Sequence, residues 1–434
     1  MDELRATYNL VPALPFDDPR VWPLVDTLFL AGRLRPFVVP PRWSIQPPYT
    51  IGVTHAGAAD QAARGQQLAD TLLSRCPQAD SPALEWLSLA PLIGELMALQ
   101  HTSDEHLYLT DTLQHLRTAF ASWMQTRYAA LQTTAPFPVP QLVSHIAHGL
   151  AGERSRGKLK QVLIVLDGMA LDQWVVIREV WSEQNQPLLW DERAVFAWVP
   201  TLTHISRQAI FAGKPPSSFA ASINRTNREE HHWKSFWQSC GLHASSVVLL
   251  KGLQGVDSQR TASELHELEE LLATPAVQVI GIVVDTIDKI AHGMQLGEAG
   301  MAQQVRQWAN GGWLANLVHR LHTSGYHVTL TADHGNVAVR GIGRVADGIL
   351  AEERGVRARV YSDPLLRDRT VNAISGAIAW PGAGLPPTIS AALAPPGSAF
   401  TTEGQYLVAH GGIDLREVMV PCISLRPADR DESH

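Results

Sequence analysis

The feature of this chain that most constrains its fold is a series of short apolar runs, rich in β-branched residues, between residues 161 and 425. The runs are QVLIVLD, AVFAWVP, SSVVLLK, VQVIGIVVD, YHVTLTAD and VMVPCISL. Between them lie amphipathic segments: LDQWVVIREVWSEQ, THISRQAIFAG, TASELHELEELLA and a long helix candidate from Gly300 to Thr323. Continuous apolar strands that alternate with amphipathic helices are typical of a parallel sheet covered on both faces. The pattern therefore predicts a doubly wound α/β domain.

The part of the chain before this domain has a different character. Residues 1–50 contain many prolines, which interrupt regular elements because proline lacks the amide donor. From about residue 57 to 133, apolar residues recur every three or four positions, which predicts helices with Ser81 and Ser103 as candidate N-caps. The segment TTAPFPVP (133–140) is typical of a connector. We expect a mainly helical N-terminal region over 1–150 and the α/β domain over 151–434.

The composition is that of an ordinary folded protein, and its charge limits the partners that we expect. The 434 residues carry 35 Lys+Arg and 42 Asp+Glu, a formal net charge of −7, which disfavours non-specific binding of nucleic acid. The 3 cysteines are far apart and odd in number, which fits a reducing cytoplasm better than a disulfide framework. We expect neither a signal peptide nor a membrane span, because no apolar run has the necessary length and context.

Polar side chains that can bind metal follow several of the apolar runs. Parallel strands bring their carboxyl ends to one edge of the sheet, which is where ligands bind in such folds. Taken singly, an aspartate after a strand is often only a turn former or a helix cap. The residues in question are Asp167, Thr201, Thr203, Asp285, Asp288, His292, Asp333, His334 and His410. All of them are expected at the same edge.

Together these residues predict a metal centre. Carboxylates mixed with imidazoles suit Zn²⁺, with Mn²⁺ as the alternative. Three aspartates, three histidines and a hydroxyl are too many for one tetrahedral ion and suit two ions ~3.5–4 Å apart, the arrangement used for phosphoryl transfer. Asp288 and His292 have the spacing that brings two side chains to one face of a helical turn. We therefore prefer Asp288 as the ligand and interpret Asp285 as a residue that supports the site.

Thr203 is the candidate nucleophile. It follows a strand and opens a segment that is predicted to be helical, so its hydroxyl would lie near the positive end of a helix. A divalent ion can activate a hydroxyl that is otherwise a poor nucleophile. The alternative is that Thr201 or Thr203 is simply the N-cap of this helix.

Five pieces of the sequence resemble, in order, the motifs of the alkaline phosphatase superfamily. They are DGM (167–169), PTLTHISRQAIFAG (200–213), DTIDKIAHG (285–293), TADHGN (331–336) and VAHGGIDLREVMVP (408–421). Within this superfamily the chain most resembles the PglZ domain, which is found in BREX-type phage-defence systems. The resemblance covers roughly residues 155–425 and implies an alkaline-phosphatase-like fold with a doubly wound, mostly parallel sheet.

Carried over to this sequence, the resemblance implies two metal sites and one nucleophile. The two ligand sets are Asp167, Thr203, Asp333 and His334 for one ion, and Asp288, His292 and His410 for the other. Thr203 matches the metal-bound nucleophile of the family, and its PTxT context selects it over Thr201. The chain has no CxPSR-like motif, so a sulfatase is not implied. Arg207, on the turn after the nucleophile, is the candidate for a contact with phosphate.

The function that follows is a phosphodiesterase or phosphatase that depends on two divalent metal ions and acts on a phosphate ester. As a component of a defence system, it would have other defence proteins as partners. Two alternatives stay open. One is a scaffold subunit with little independent catalysis that docks partners through residues 57–133. The other is a nuclease that acts on phage DNA with partners that supply the DNA contacts.

Overall fold

The computed structural model describes residues 21, 37–39, 53–55, 58–101, 107–157, 160–256, 258–291, 294–345 and 355–428. Its strands are β1 Phe37–Val39, β2 Val53–His55, β3 Lys160–Leu166, β4 Leu188–Phe196, β5 Val247–Leu253, β6 Val279–Val284, β7 Tyr326–Thr331, β8 Val337–Gly341, β9 Ala358–Tyr361, β10 Ile378–Trp380, β11 Ser390–Leu393, β12 Ser398–Ala399, β13 Tyr406–Ala409 and β14 Met419–Pro427. Its α-helices are α1 Ala58–Ser74, α2 Ala83–Gln100, α3 Leu107–Arg127, α4 Ile146–Gly157, α5 Leu171–Glu183, α6 Thr203–Ala212, α7 Glu229–Ser239, α8 Ser258–Leu272, α9 Thr286–Ala291, α10 Gly297–Asn310, α11 Trp313–Thr323, α12 Pro364–Ala373 and α13 Leu415–Val418.

The centre of the fold is a six-stranded sheet with the order β4-β14-β7-β3-β6-β5. Every strand of this sheet except β14 runs in the same direction. Strands β3 and β6, which have parallel neighbours on both sides, are buried almost throughout, as expected of strands covered by helices on both faces. Each of the six apolar runs contributes a strand to this sheet. The predicted fold class, a doubly wound, mostly parallel sheet after a mainly helical region, is confirmed.

The antiparallel strand β14 explains how a late segment of the chain reaches the carboxyl edge of the sheet. Met419, at the start of β14, pairs with Phe196, at the end of β4. An antiparallel strand places its amino end where its neighbours place their carboxyl ends. The segment that precedes Met419 is therefore brought to the same edge as the segments that follow the parallel strands.

Two predicted boundaries differ from the structure. The single helix expected from Gly300 to Thr323 is two helices, α10 and α11, because Gly312 has φ +72° at the start of α11. This left-handed conformation suits glycine and ends a regular helix. The strand expected over 194–200 begins earlier, at Leu188, and ends at Phe196. Its first half alternates between buried and exposed residues, as in an edge strand, so hydrophobicity alone did not reveal it.

Of the two candidate N-caps in the N-terminal region, only Ser81 lies among the described residues. Helix α2 begins after Pro82, and no side chain caps its first turn. Ser81 instead accepts a hydrogen bond from the amide of Gln78 at 3.1 Å. Ser103 lies outside the described residues.

Strands β8 to β13 form two small sheets beside the central one. One has the order β12-β8-β13 and the other β10-β11-β9. The first encloses a separate small apolar cluster that includes Val337 and Leu407. Strand β8 begins shortly after Asp333 and His334, and strand β13 ends just before His410.

The N-terminal helices pack directly on the α/β domain. Phe120 and Trp123 of α3 contact Phe196 of β4, with ring centroids 6.1 and 5.2 Å apart. One continuous apolar core extends from α1 to β14. The predicted boundary at 150/151 falls within α4, so a division into two domains there stays a prediction. None of the helices in the described ranges combines the length and the apolar character that a membrane span needs.

Candidate metal centre

Asp167 and Asp333 leave the central sheet side by side. Val165 of β3 lies opposite Thr331 of β7, so the residues two positions further on each strand emerge together. Both aspartates are buried. Oδ1 of Asp333 accepts hydrogen bonds from the amides of Gly168 and His334, each at 3.1 Å. The strand register therefore puts two carboxylates next to each other at the edge predicted from the sequence.

His334 completes a cluster of three metal-binding side chains. A carboxylate oxygen of Asp167, a carboxylate oxygen of Asp333 and a ring nitrogen of His334 all lie within 4.8 Å of one another. Nδ1 of His334 donates to the carbonyl of Gly335 at 3.0 Å, which leaves Nε2 as the atom that can accept or coordinate. Gly335 has no room for a side chain, because an added Cβ would collide with the carbonyl oxygen of Arg416.

The electrostatics of this cluster suit the binding of a cation. Oδ1 of Asp167 and Oδ2 of Asp333 are buried and have no hydrogen-bond partner among the described residues. Burial and then the charge of Asp333 raise the pKa of Asp167 well above its ordinary value. Burial also raises the pKa of Asp333 to about 7. Two adjacent buried carboxylates with unpaired oxygens, facing an imidazole nitrogen, are a donor set that suits a divalent cation.

Thr203 lies directly beside this cluster. Its hydroxyl is 3.0 Å from Nε2 of His334 and, since that nitrogen is the unprotonated one, donates to it. Thr203 is the first residue of α6, whose N-cap position is Leu202, and among the described residues no side chain caps this helix. Interpreting Thr201 or Thr203 as the side-chain N-cap is therefore wrong.

Thr201 has a different partner. Its hydroxyl donates to the carbonyl of Gly412 at 3.1 Å and accepts from the amide of Gly411 at 2.9 Å. This fixes Thr201 to the loop after His410, whereas the hydroxyl of Thr203 faces His334. The two threonines are thus distinguished by their contacts.

His410 lies against His334. Their rings are stacked with centroids 4.0 Å apart. Nδ1 of His410 donates to the carbonyl of Thr201 at 2.7 Å. This leaves Nε2 as the ring nitrogen that can bind a metal ion. This hydrogen bond ties the loop of His410 to the segment that carries Thr203.

Asp288 and Asp285 lie in different environments. A Cβ added at Gly168 would lie 3.6 Å from Cβ of Asp288, so Asp288 lies next to the turn after Asp167. The charge of Asp288 helps to raise the pKa of Asp167, although burial and the charge of Asp333 contribute more. Asp285 pairs instead with Lys289 at 3.6 Å. This geometry favours Asp288 as the ligand. His292 lies outside the described residues, so its part in a second site stays a prediction.

Arg207 is buried behind the cluster. It forms an ion pair with Oδ2 of Asp167 and donates to Glu229 at 2.8 Å. Glu229 also pairs with Lys251 at 2.5 Å. The observed partners of Arg207 are thus the carboxylates of Asp167 and Glu229. Its contact with phosphate stays a prediction.

Several supporting residues were missed from the sequence. Asn336 donates to the carbonyl of Gly168 at 2.7 Å and accepts from Gln173 at 2.9 Å. It thereby joins the turns that follow β3 and β7. Asn336 ends the TADHGN motif and could have been singled out there. Gln173 and Glu229 gave no signal, because only the fold brings them near the site.

The site and fold define an alkaline-phosphatase-like domain. Over residues 152–425 the chain matches the family described as "BREX system PglZ alkaline phosphatase-like domain". This match covers more than half of the chain, and the protein therefore belongs to the PglZ family. The predicted resemblance is confirmed.

Three solved structures show a distant similarity to part of this chain. Murine ectonucleotide pyrophosphatase/phosphodiesterase 5 has a TM-score of 0.45 and 11% identity, covering 61% of this chain and 87% of that chain. The alkaline phosphatase PafA has a TM-score of 0.42 and 11% identity, covering 62% and 90%. Phosphonoacetate hydrolase from Sinorhizobium meliloti 1021 has a TM-score of 0.38 and 14% identity, covering 61% and 89%. No curated protein sequence matches the chain.

Proposed function

We propose that this protein is a metal-dependent phosphoric ester hydrolase, a phosphodiesterase or phosphatase, that uses Thr203 as its nucleophile. The observation that carries the proposal is the position of the Thr203 hydroxyl. It lies 3.0 Å from Nε2 of His334, within the cluster that also holds the unpaired carboxylate oxygens of Asp167 and Asp333. Membership of an alkaline-phosphatase-like family supports the reaction class.

The residues fit two divalent ions, with Zn²⁺ favoured over Mn²⁺. Asp167, Thr203, Asp333 and His334 would hold one ion, and Asp288, His292 and His410 would hold the other. Bound cations supply positive charge that offsets the buried carboxylates, lowers the pKa of the Thr203 hydroxyl and stabilises the charge on the transferred phosphoryl group. The mixture of carboxylate and imidazole donors favours such ions over Ca²⁺ or Mg²⁺.

The protein groups account for the remaining chemistry. The hydroxyl of Thr203 loses its proton and its oxygen bonds to phosphorus, while the bond from phosphorus to the leaving oxygen breaks and the leaving alcohol takes up a proton. A water molecule then attacks the phosphorus, the bond to the Thr203 oxygen breaks, and the phosphate product is released as that oxygen regains a proton. The amide dipoles of α6 favour negative charge at Thr203. The hydrogen bond from Nδ1 of His334 to the carbonyl of Gly335 leaves Nε2 as the ring nitrogen available to the site.

As a member of a BREX-associated family, the protein is expected to act with other defence-system proteins in the cytoplasm. The proposal requires no contact with a membrane. A comparison of substrates can decide whether the protein acts on nucleic acid. A nuclease would cleave DNA, whereas a general phosphoesterase would also cleave small esters.

The test compares Thr203→Ala and Thr203→Ser with the unchanged protein, each loaded with Zn²⁺ or Mn²⁺ after chelation. Hydrolysis of nitrophenyl mono- and diesters and of single- and double-stranded DNA is measured, together with metal content by elemental analysis. We expect Thr203→Ala to lose turnover and Thr203→Ser to retain part of it, since serine keeps a hydroxyl. Full hydrolysis by metal-loaded Thr203→Ala, or equal activity with chelator present, contradicts the proposal.

A further inference from the structure

An ion pair joins the N-terminal helices to the loop that follows His410. Nε and Nη2 of Arg117, on α3, donate to Oδ2 of Asp414 at 2.8 and 2.6 Å. Asp414 is 4% exposed and Arg117 26% exposed at their side chains. Burial alone would raise the pKa of Asp414, but Arg117 and Arg357 hold it below its ordinary value. A buried carboxylate of this kind depends on its cationic partner.

Asp414 organises the whole turn between His410 and β14. It caps helix α13 by accepting from the amide of Arg416 at 3.0 Å. Glu417 accepts from the amides of Gly412 and Asp414 at 2.8 and 3.0 Å and pairs with Arg357. A loop built this way behaves as one body, since each anchor limits the movement of the others.

This loop touches both catalytic segments. His410 and Gly411 are hydrogen-bonded to Thr201, two residues before the nucleophile. The carbonyl of Glu417 accepts from the amide of Gly335, next to His334, at 2.9 Å. A displacement at Asp414 would therefore be transmitted to the segments of Thr203 and His334.

A second contact from the N-terminal region reaches the strand exit before Thr203. The buried hydroxyl of Tyr128 donates to the carbonyl of Ala197 at 2.7 Å and accepts from the amide of Val199 at 3.1 Å. These two backbone groups lie beyond the end of β4, where the sheet no longer supplies partners. Tyr128 directly follows the end of α3.

We propose that Arg117 and Tyr128 are positioning residues, through which the N-terminal helices fix the loop of His410 and the segment of Thr203 relative to each other. The helical region is thus part of the catalytic apparatus and not only a surface for partners. The inference rests on the proposed function for its kinetic consequence, but the contacts themselves can be tested in the metal-free protein.

The experiment uses the full chain with Arg117→Ala, Arg117→Lys and Tyr128→Phe. Arg127→Ala is the matched control, because Arg127 lies exposed at the end of the same helix. Hydrogen–deuterium exchange of the metal-free proteins reports on peptides covering 410–418 and 197–203. Steady-state kinetics with a nitrophenyl ester report separately on kcat and KM.

We expect Arg117→Ala to accelerate exchange in 410–418 and to lower kcat about 10- to 100-fold with little change in KM, since small misplacements of reacting groups have effects of this size. Arg117→Lys keeps the charge and should restore part of kcat. Tyr128→Phe should accelerate exchange in 197–203. Arg127→Ala should match the unchanged protein in both measurements.

Unchanged exchange in 410–418 and unchanged kcat in Arg117→Ala, with the unchanged protein active, overturn the inference. If the unchanged protein itself shows no hydrolysis, the proposed function fails, and the exchange data alone then decide whether Arg117 holds the loop. A loss of kcat accompanied by a general rise in exchange over the central sheet would also overturn it, because that pattern indicates a damaged fold.

Discussion

The two halves of the candidate metal centre are built differently. Asp167, Asp333 and His334 directly follow adjacent parallel strands, are buried, and are fixed by short hydrogen-bonded turns. Asp288 is half-buried on the six-residue helix α9, and His410 lies on a loop whose anchors come from other parts of the chain. Strand register therefore determines the geometry of the first half, whereas long-range packing determines that of the second.

The largest effect is expected from Asp333→Asn in the first half. The change keeps the shape of the side chain but removes a carboxylate at the centre of the cluster. A cation contributes several kcal/mol of charge stabilisation in such sites. At about 1.4 kcal/mol per tenfold change, this corresponds to a loss in kcat/KM of about a thousandfold.

The measurement is ester hydrolysis combined with metal content by elemental analysis. Asp191→Asn is a suitable control, because Asp191 lies half-exposed on β4 and pairs with Arg193. A metal-replete Asp333→Asn protein with full activity would show that this half of the centre is structural.

A smaller effect is expected from Asp288→Asn in the second half. If Asp288 is the ligand and Asp285 is held by Lys289, the two adjacent carboxylates should respond differently to the same change. We expect Asp288→Asn to lower kcat/KM about a hundredfold and to weaken binding of one ion, in line with the 10- to 100-fold effects of disturbed metal environments. Asp285→Asn should change kcat/KM only a few-fold. The reverse ranking would exchange the roles of the two residues.

The last effect concerns the stability of the metal-free protein. Burial raises the pKa of Asp333 to about 7, above the ordinary value of 3.8, so the folded state binds more protons than the unfolded state between these pH values. The free energy of unfolding should therefore fall as the pH rises from about 4 to about 7 and then level off. This contribution should be absent from Asp333→Asn.

Urea unfolding of both proteins at several pH values in the presence of chelator measures the difference. Added Zn²⁺ should abolish this fall in the free energy of unfolding, because a bound cation favours the ionised carboxylate. If metal-free Asp333→Asn shows the same fall in stability as the unchanged protein, other groups cause the pH dependence.

The parts of this molecule that sequence predicts best are those determined by local pattern. Each apolar run contributes a strand to the central sheet, because continuous apolar character over a few residues suffices for a strand buried on both faces. The closeness of Asp167 and Asp333 could be predicted because the position after such a strand is itself a local signal. The break between α10 and α11 depends on the backbone conformation of Gly312, and a helical periodicity that continues past it gives no warning.

The residues that could not be predicted are linked through distant parts of the chain. Arg117 and Asp414 are separated by 297 positions, and nothing in either neighbourhood indicates the other. The same holds for Arg207 and Glu229 as a pair, since only the packing of α7 against α6 brings them together. Such partners become visible only when the fold is known.

The place of β14 in the sheet has a consequence for the order in which the protein acquires its structure during synthesis. This last strand lies between β4 and β7 and pairs with both, so neither has its final neighbour until the chain up to about residue 427 has left the ribosome. Until then β4 and β7 present unpaired edges, which are prone to pair wrongly. The edge of the sheet that carries the candidate metal centre is thus completed only after β14 has been synthesised, and a nascent chain that stalls before β14 would hold strands of the sheet without an assembled site.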